Sequence, residues 1–272
     1  MTTGRRGTDD RLTIPWPATL APVVRTTPMH GGDIAEVVRA DLADGRAVVV
    51  KSTTYDADLE AEGLRALAGA GAPVPEVLDV LDRRLILTLV SGPADWAALG
   101  RALAHVHATT ADRFGWHRDN VIGPLPQRNG WLDRWPEFHL ERRLVPYLPD
   151  LPADVATRLE RAMAGPLAEV LDHDVRPSLV HGDLWTGNVV DGRWLIDPAV
   201  HHADREVDLA MLALFGDGPP AFHRAYAEAW PLDDGWERRR PALQLAPLLV
   251  HVRLFGGGYV ASVAQRLDAL GC

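Results

Sequence analysis

The stretch Ser178–Ala210, SLVHGDLWTGNVVDGRWLIDPAVHHADREVDLA, organises the reading of this chain. It opens on the apolar pair Leu179 and Val180, then turns into His181, Gly182, Asp183, Leu184, Trp185, Thr186, Gly187 and Asn188, which reads as a strand entering a loop. Val189 and Val190, the turn pair Asp191 and Gly192, and the run Trp194 to Ile196 follow, ending in Asp197. An Asp-Gly pair between β-branched and aromatic runs predicts a hairpin. A hairpin brings its outer ends together, so Asn188 and Asp197 are expected to face one point, with Asp183 on the adjoining loop.

Two carboxylates and an amide converging in this way suit a magnesium-phosphate site. Mg²⁺ takes hard oxygen ligands and commonly only one or two carboxylates, the rest of its shell being water and substrate phosphate. Asn188 and Asp197 are therefore the candidate metal ligands. Asp183 is left free to orient an attacking hydroxyl and accept its proton, which makes it the candidate catalytic residue. Taken singly, Asp and Asn are ordinary turn formers; it is the joint spacing, H-G-D-x-x-x-x-N followed by an apolar run into I-D-P, that argues for chemistry.

These motifs resemble the aminoglycoside phosphotransferase and protein-kinase-like superfamily, and within it the fructosamine kinase (ketosamine kinase) family. The resemblance is carried by HGDLWTGNV, by IDPAV with DREVDLAMLALFG after it, by FGWHRDNVIGPLPQRNGWLDRW upstream and by LFGGGYVASV near the end. It implies an α+β, bilobal fold with a small antiparallel-sheet lobe over residues 1–90 and a mainly helical catalytic and substrate-binding lobe over 91–272. It further implies ATP and Mg²⁺ as cofactors and transfer of the γ-phosphoryl group to a sugar hydroxyl, the third-carbon hydroxyl of a fructosamine or ribulosamine. The acceptor partner would be a small sugar-amine, free or attached to a protein lysine, so that the reaction serves protein deglycation. Trp185 would either stack on that substrate beside Asp183 or fill the core, while His181 and Asp208 would support the catalytic loop. Two alternatives are an aminoglycoside O-phosphotransferase and a nucleotide-binding pseudokinase acting as a partner protein.

The nucleotide side rests on Lys51, the only lysine in the chain, at the end of the second strand of a hairpin read from VVRADL and RAVVVK. Lysine is a compact point charge on a flexible stem, where arginine is a broad fork, and a strand lysine holding the α and β phosphates is a kinase feature. Its carboxylate partner is expected on the helix read over residues 55–73: Glu62 is the first choice and Glu60 the competitor. By resemblance, Gly31 and Gly32 occupy the loop that covers the nucleotide, and the backbone of Thr88, Leu89 and Val90 meets the adenine at the hinge.

Composition narrows the classes. With 28 basic and 37 acidic residues the net charge is −9, without the basic excess of a nucleic-acid binder. No apolar run approaches the roughly 20 residues a membrane span needs, and Met1 to Arg11 lack the apolar stretch of a secretory signal. The lone Cys272 suits a reducing, cytoplasmic setting. Neither nucleic acid nor membrane is expected as a partner, and the assembly is expected to be a monomer or homodimer. His201 and His202 lack the Cys or H-E-x-x-H company of a zinc site. The remaining elements are read as an irregular proline-rich arm over 11–27, a buried strand over 84–90, and helices over 94–107, 131–148, 153–171, 221–230, 236–254 and 259–270. The segment 113–130 is read as either a substrate-side loop or an Ω-like packing loop.

Overall fold

The computed structural model describes residues 16–29 and 35–272. The expectation for Gly31 and Gly32 falls outside the described residues. Five strands, β1 (Val23–Pro28), β2 (Glu36–Leu42), β3 (Ala47–Ser52), β4 (Val77–Leu81) and β5 (Arg84–Thr88), pair antiparallel in the order β1-β2-β3-β5-β4. Helix α1 (Asp58–Gly69) lies between β3 and β4 in the chain. The supposed irregular arm thus contains an edge strand. Its prolines are tolerated because Pro22 precedes the strand and Pro28 closes it, where a missing ladder donor costs little.

Alternation on β3 sorts the two faces of the sheet. Val48 and Val50 point into a small core with Ala40, Leu42 and Ile86. Val49 and Lys51 take the opposite face, where Leu64 and Leu67 of α1, Leu85 and Leu87 form a second core. That core continues into the helical part through Leu99 and Leu103 of α2 (Trp96–His107), Leu184, Val189 and Leu195. One continuous apolar body therefore carries both the strand bearing Lys51 and the loop bearing Asp183.

The helical part adds the hairpin β6 (Asn120–Ile122) and β7 (Leu125–Gln127), then α3 (Trp135–His139), α4 (Ala153–Met163) and α5 (Pro166–Leu171). The central stretch forms β8 (Ser178–Val180), β9 (Val189–Val190), β10 (Trp194–Leu195) and β11 (His201–Ala203), with β8 pairing β11 and β9 pairing β10. Helices α6 (Glu206–Leu214), α7 (Pro220–Ala229), α8 (Trp236–Leu243), α9 (Leu245–Phe255) and α10 (Val260–Ala269) complete the chain. α2 and α7 cross so closely that a Cβ at Gly100 would meet the Phe222 carbonyl at 2.4 Å.

Three expected long helices are broken, each near prolines. The 131–148 helix is α3 followed by a π turn over Leu140–Leu144 and a 3₁₀ turn over Val145–Asp150 that contains Pro146 and Pro149. The 153–171 helix stops at Met163 and restarts at Pro166, since proline disfavours helical geometry in the residue before it. The 236–254 helix divides at Gln244, where Pro247 has no N–H to offer the carbonyl of Leu243.

Candidate active site

Lys51 is 6% exposed, and its Nζ lies 2.9 and 2.8 Å from the two carboxylate oxygens of Glu60 and 2.7 Å from Oδ1 of Asp197. The contact is made possible by Gly63, one turn along α1 from Glu60. A Cβ there would lie 3.2 Å from the Pro198 ring, so the helix rests almost directly on the residue after Asp197. Burial works against the Lys51 ammonium, but Glu60 and Asp197 outweigh it and raise its pKa well above the ordinary value. The Tyr55 hydroxyl donates to Glu60 Oε2 at 2.8 Å and fixes the carboxylate from behind.

The expected pairing of Lys51 with Glu62 is therefore corrected to Glu60. Residues 60, 61, 64 and 67 form the buried stripe of α1, and Glu60 falls on it at helical spacing from Leu64 and Leu67. Glu62 points toward the loop that follows α2. It accepts from Trp116 Nε1 at 2.6 Å, lies 3.0 Å from His117 Nε2 and pairs with Arg118.

The loop from His181 to Asn188 hangs from Asp208. Its carboxylate accepts the amides of His181 at 2.7 Å and Gly182 at 2.8 Å, and lies 3.1 Å from Nε2 of the fully buried His107. Burial alone would raise the Asp208 pKa; the hydrogen bond to His107 and the amides hold it below the ordinary carboxylate value. Gly182 has φ +82°, and a Cβ on it would lie 2.2 Å from the Ala199 carbonyl oxygen, so no side chain fits there. His181 is kept neutral by burial. Its Nε2 is 3.0 Å from the Ile196 carbonyl and its Nδ1 accepts the Asp183 amide at 3.2 Å, one donor and one acceptor as a neutral imidazole requires.

Asn188 donates from Nδ2 to the backbone oxygen of Asp183 at 2.8 Å and to its Oδ2 at 3.1 Å. Ile196 donates its amide to the Asn188 carbonyl at 3.1 Å, which seats Asn188 against the start of the Asp197 turn. Asp197 itself adopts a left-handed φ of +56° and leaves its side chain 40% exposed. Burial, followed by the nearby Asp197 charge, pushes the Asp183 carboxyl up to about 7. Lys51 thus touches Asp197, Asn188 touches Asp183, and the two pairs are joined through the Ile196 amide on the Asn188 carbonyl. The amide oxygen of Asn188 and the second carboxylate oxygen of Asp197 are hard donors of the type a magnesium ion takes.

Trp185 is 39% exposed, with its indole folded over Gly187. At the hinge, the Thr88 amide donates to the Glu76 carbonyl at 3.0 Å and Thr88 Oγ1 accepts the Glu76 amide at 2.9 Å. Leu89 and Val90, both half-buried, follow β5 outside the sheet pairing. His201 and His202 occupy opposite faces of β11 and do not converge.

Four residues around the site escaped the sequence reading. His107 sits on the inward face of α2 with Gly100 and Leu103, a spacing that marks it as buried. The amides Asn120, Gln127 and Asn129 form a buried network: Asn120 donates to the Val200 carbonyl at 2.8 Å, and Gln127 to Asn120 Oδ1 at 2.9 Å and to the Ala199 carbonyl at 3.1 Å. Asn129 completes it with a 2.9 Å bond to Asn120 Oδ1. The segment 113–130 is thereby bolted to the residues just after Asp197, and Trp116 carries the brace across to α1.

The profile of the family described as fructosamine kinase matches residues 18–271. The chain belongs to that family. A probable ketoamine kinase of Thermus thermophilus is 37% identical over 254 residues, covering 89% of this chain and 92% of the relative. The crystal structure of a candidate fructosamine-3-kinase from Thermobifida fusca superposes with a TM-score of 0.82 at 37% identity, over 93% of this chain and 96% of that one. A choline/ethanolamine kinase family protein from Mesorhizobium loti shares the fold, with a TM-score of 0.60 at 17% identity, over 95% of each chain. As a fructosamine kinase family member, the chain is a phosphotransferase with an alcohol acceptor. Its fold is of the kinase type, with an antiparallel sheet and a mainly helical remainder. Among the described residues, no helix is long and apolar enough to cross a membrane.

Proposed function

We propose that this protein transfers the γ-phosphoryl group of ATP to a hydroxyl of a ketosamine, at the third sugar carbon, with fructosamine and ribulosamine as the acceptor classes. The observation that carries the reading is the pairing of Lys51 with Asp197 and of Asn188 with Asp183, joined through the Ile196 amide on the Asn188 carbonyl. Phosphoryl transfer of this kind passes through a loose transition state, so catalysis is mainly positioning and charge neutralisation.

In this reading Lys51, held by Glu60, meets the α and β phosphates. Asn188 and Asp197 hold Mg²⁺, which when bound neutralises charge on the phosphate oxygens. Asp183 orients the acceptor hydroxyl and takes its proton; a carboxyl whose pKa lies near neutrality is well matched to that task. His181, Gly182 and Asp208 keep the loop in shape, and the exposed indole of Trp185 offers the sugar a stacking face. The backbone of Leu89 and Val90 receives the adenine, and residues 1–90 act as the nucleotide lobe against 91–272. The acceptor is free or borne on a protein lysine, which would make the protein a cytoplasmic deglycating enzyme.

The test is a panel of ketosamines and aminoglycosides offered with Mg-ATP, with ADP release followed. Release with ketosamines and not with aminoglycosides is the expected result. Release only with aminoglycosides would replace the acceptor class, and release with neither would favour a nucleotide-binding role without transfer.

A further inference from the structure

A cavity of about 320 Å³ opens beside the catalytic loop, lined by Gly182 and His201, by His139, Arg143 and Tyr147 of the α3 to α4 region, and by Arg253 of α9. Two of its buried polar side chains are not satisfied. Arg143 is 7% exposed; its Nη atoms donate to the carbonyls of Arg128 and Arg142 and to Oδ1 of Asn129 at 2.7 Å, and among the described residues its Nε has no acceptor. Every hydrogen bond it makes among the described residues goes to a neutral oxygen. His139 is 1% exposed, and neither ring nitrogen is bonded among the described residues.

A buried cation is normally met by an anion, because desolvation penalises it heavily otherwise. Buried donors without acceptors are likewise rare and call for a reason. Burial pulls the Arg143 guanidinium down to about 9 and the His139 imidazole to about 3, so the ring is neutral, with one N–H and one bare nitrogen. The missing partner for both is an anionic acceptor of hydrogen bonds. Of the other charged groups in the lining, the Glu141 carboxylate pairs with Arg142, and Arg253 is engaged by Asp150 and the Pro146 carbonyl.

We propose that this cavity is an oxyanion subsite of the acceptor site, receiving a carboxylate carried on the amine half of the ketosamine, with Arg143 as its counter-charge and His139 as a neutral donor. The assignment rests on the ketosamine reading above, because Gly182 is what joins the cavity to the catalytic loop. It selects amino-acid ketosamines with a free carboxylate over ketosamines of neutral amines. Charge-assisted hydrogen bonds are stronger than neutral ones, so the selection falls on the acceptor's charge and not on its sugar.

The test uses the full chain and two acceptors that differ in one group, the ketosamine of glycine and its primary amide. Initial rates with Mg-ATP and calorimetric binding without nucleotide are measured for both. The amide is expected to raise KM and Kd at least 10-fold, roughly what losing one charged hydrogen bond costs, with kcat and the KM for ATP within about twofold. Arg143→Met is expected to bring acid and amide to the same Kd, and His139→Gln to narrow the gap. Equal Kd values for acid and amide in the wild type overturn the subsite, whether or not either is phosphorylated and whether or not the Arg143 variant folds. A gap that survives in a folded Arg143→Met protein overturns it as well. Tighter binding of the acid without turnover of either compound keeps the subsite and removes the ketosamine reading.

Discussion

Lys51 of β3 and Arg143 of the helical part are both buried, at 6% and 7% exposure, yet only Lys51 faces carboxylates. Glu60 and Asp197 raise the Lys51 pKa, whereas burial against carbonyls and the Phe138 ring, with no acid in contact, lowers that of Arg143. The difference separates two ways of preparing a site for an anion. Lys51 is held ready by resident acids, one of which, Asp197, is also part-exposed, so its geometry is fixed before any phosphate arrives. Arg143 is held by backbone and amide oxygens and keeps its charge uncompensated. The first arrangement favours placement; the second favours affinity for a matching charge.

The largest expected effect lies beside the lysine. Asp183→Ala should lower turnover by about 10²-fold or more while ATP binding, read by fluorescence titration, persists; unchanged turnover would take Asp183 out of its role. Next, Lys51→Met strands two carboxylates, and removing one partner of a buried pair costs about 3–5 kcal/mol. Arg143→Met strands only neutral acceptors, at about 1–3 kcal/mol. Chemical denaturation of the two variants therefore ranks the cations, and an Arg143 variant that loses more stability than the Lys51 variant would break the comparison.

The two glutamates of α1 sharpen it further. Glu60→Gln removes the charge facing Lys51 and should raise the KM for ATP by about 10-fold, the scale of one charge-assisted hydrogen bond. Glu62→Gln should leave that constant within about twofold and lower the melting temperature instead, because Glu62 braces the loop through Trp116, His117 and Arg118. The reverse pattern in ATP kinetics would restore Glu62 as the lysine's partner.

The smallest effect is a pH dependence remote from both cations. His173 Nε2 lies 2.8 Å from Asp204, and although burial opposes its charge, the Asp204 carboxylate raises its pKa above the model-compound value of 6.5. A raised folded-state pKa means the stabilisation is complete below about 6.5 and fades as pH climbs through the folded value. His173→Gln should therefore cost about 1 kcal/mol near pH 6 and progressively less above it. Thermal unfolding across that range checks the sign: a gap that widens with pH would contradict it.

Much of this arrangement was legible in the sequence because the signals were local. Asp191-Gly192 between apolar runs specified the β9–β10 hairpin, and with it the neighbourhood of Asn188 and Asp197. The lone lysine announced itself by residue choice. The less legible parts depended on direction and on packing across long separations. Choosing Glu60 over Glu62 required placing the acid on the stripe shared with Leu64 and Leu67, a matter of about 100° of helical rotation per residue. His107 and Asp208 meet across 101 residues, and the bond makes sense only once α2 and α6 are packed together. β1 was obscured because prolines, read as breakers, sit at the two ends of an edge strand where they do no harm. The unsatisfied Arg143 leaves no mark in the sequence, since burial and missing partners are properties of the fold.

The most direct measurement is phosphorus NMR of the product formed from Mg-ATP and a fructosamine by the wild-type chain. A phosphate monoester resonance coupled to the proton on the third sugar carbon, absent with Asp183→Ala, is the predicted result. ADP accompanied only by inorganic phosphate, or an ester at another carbon, would contradict the account.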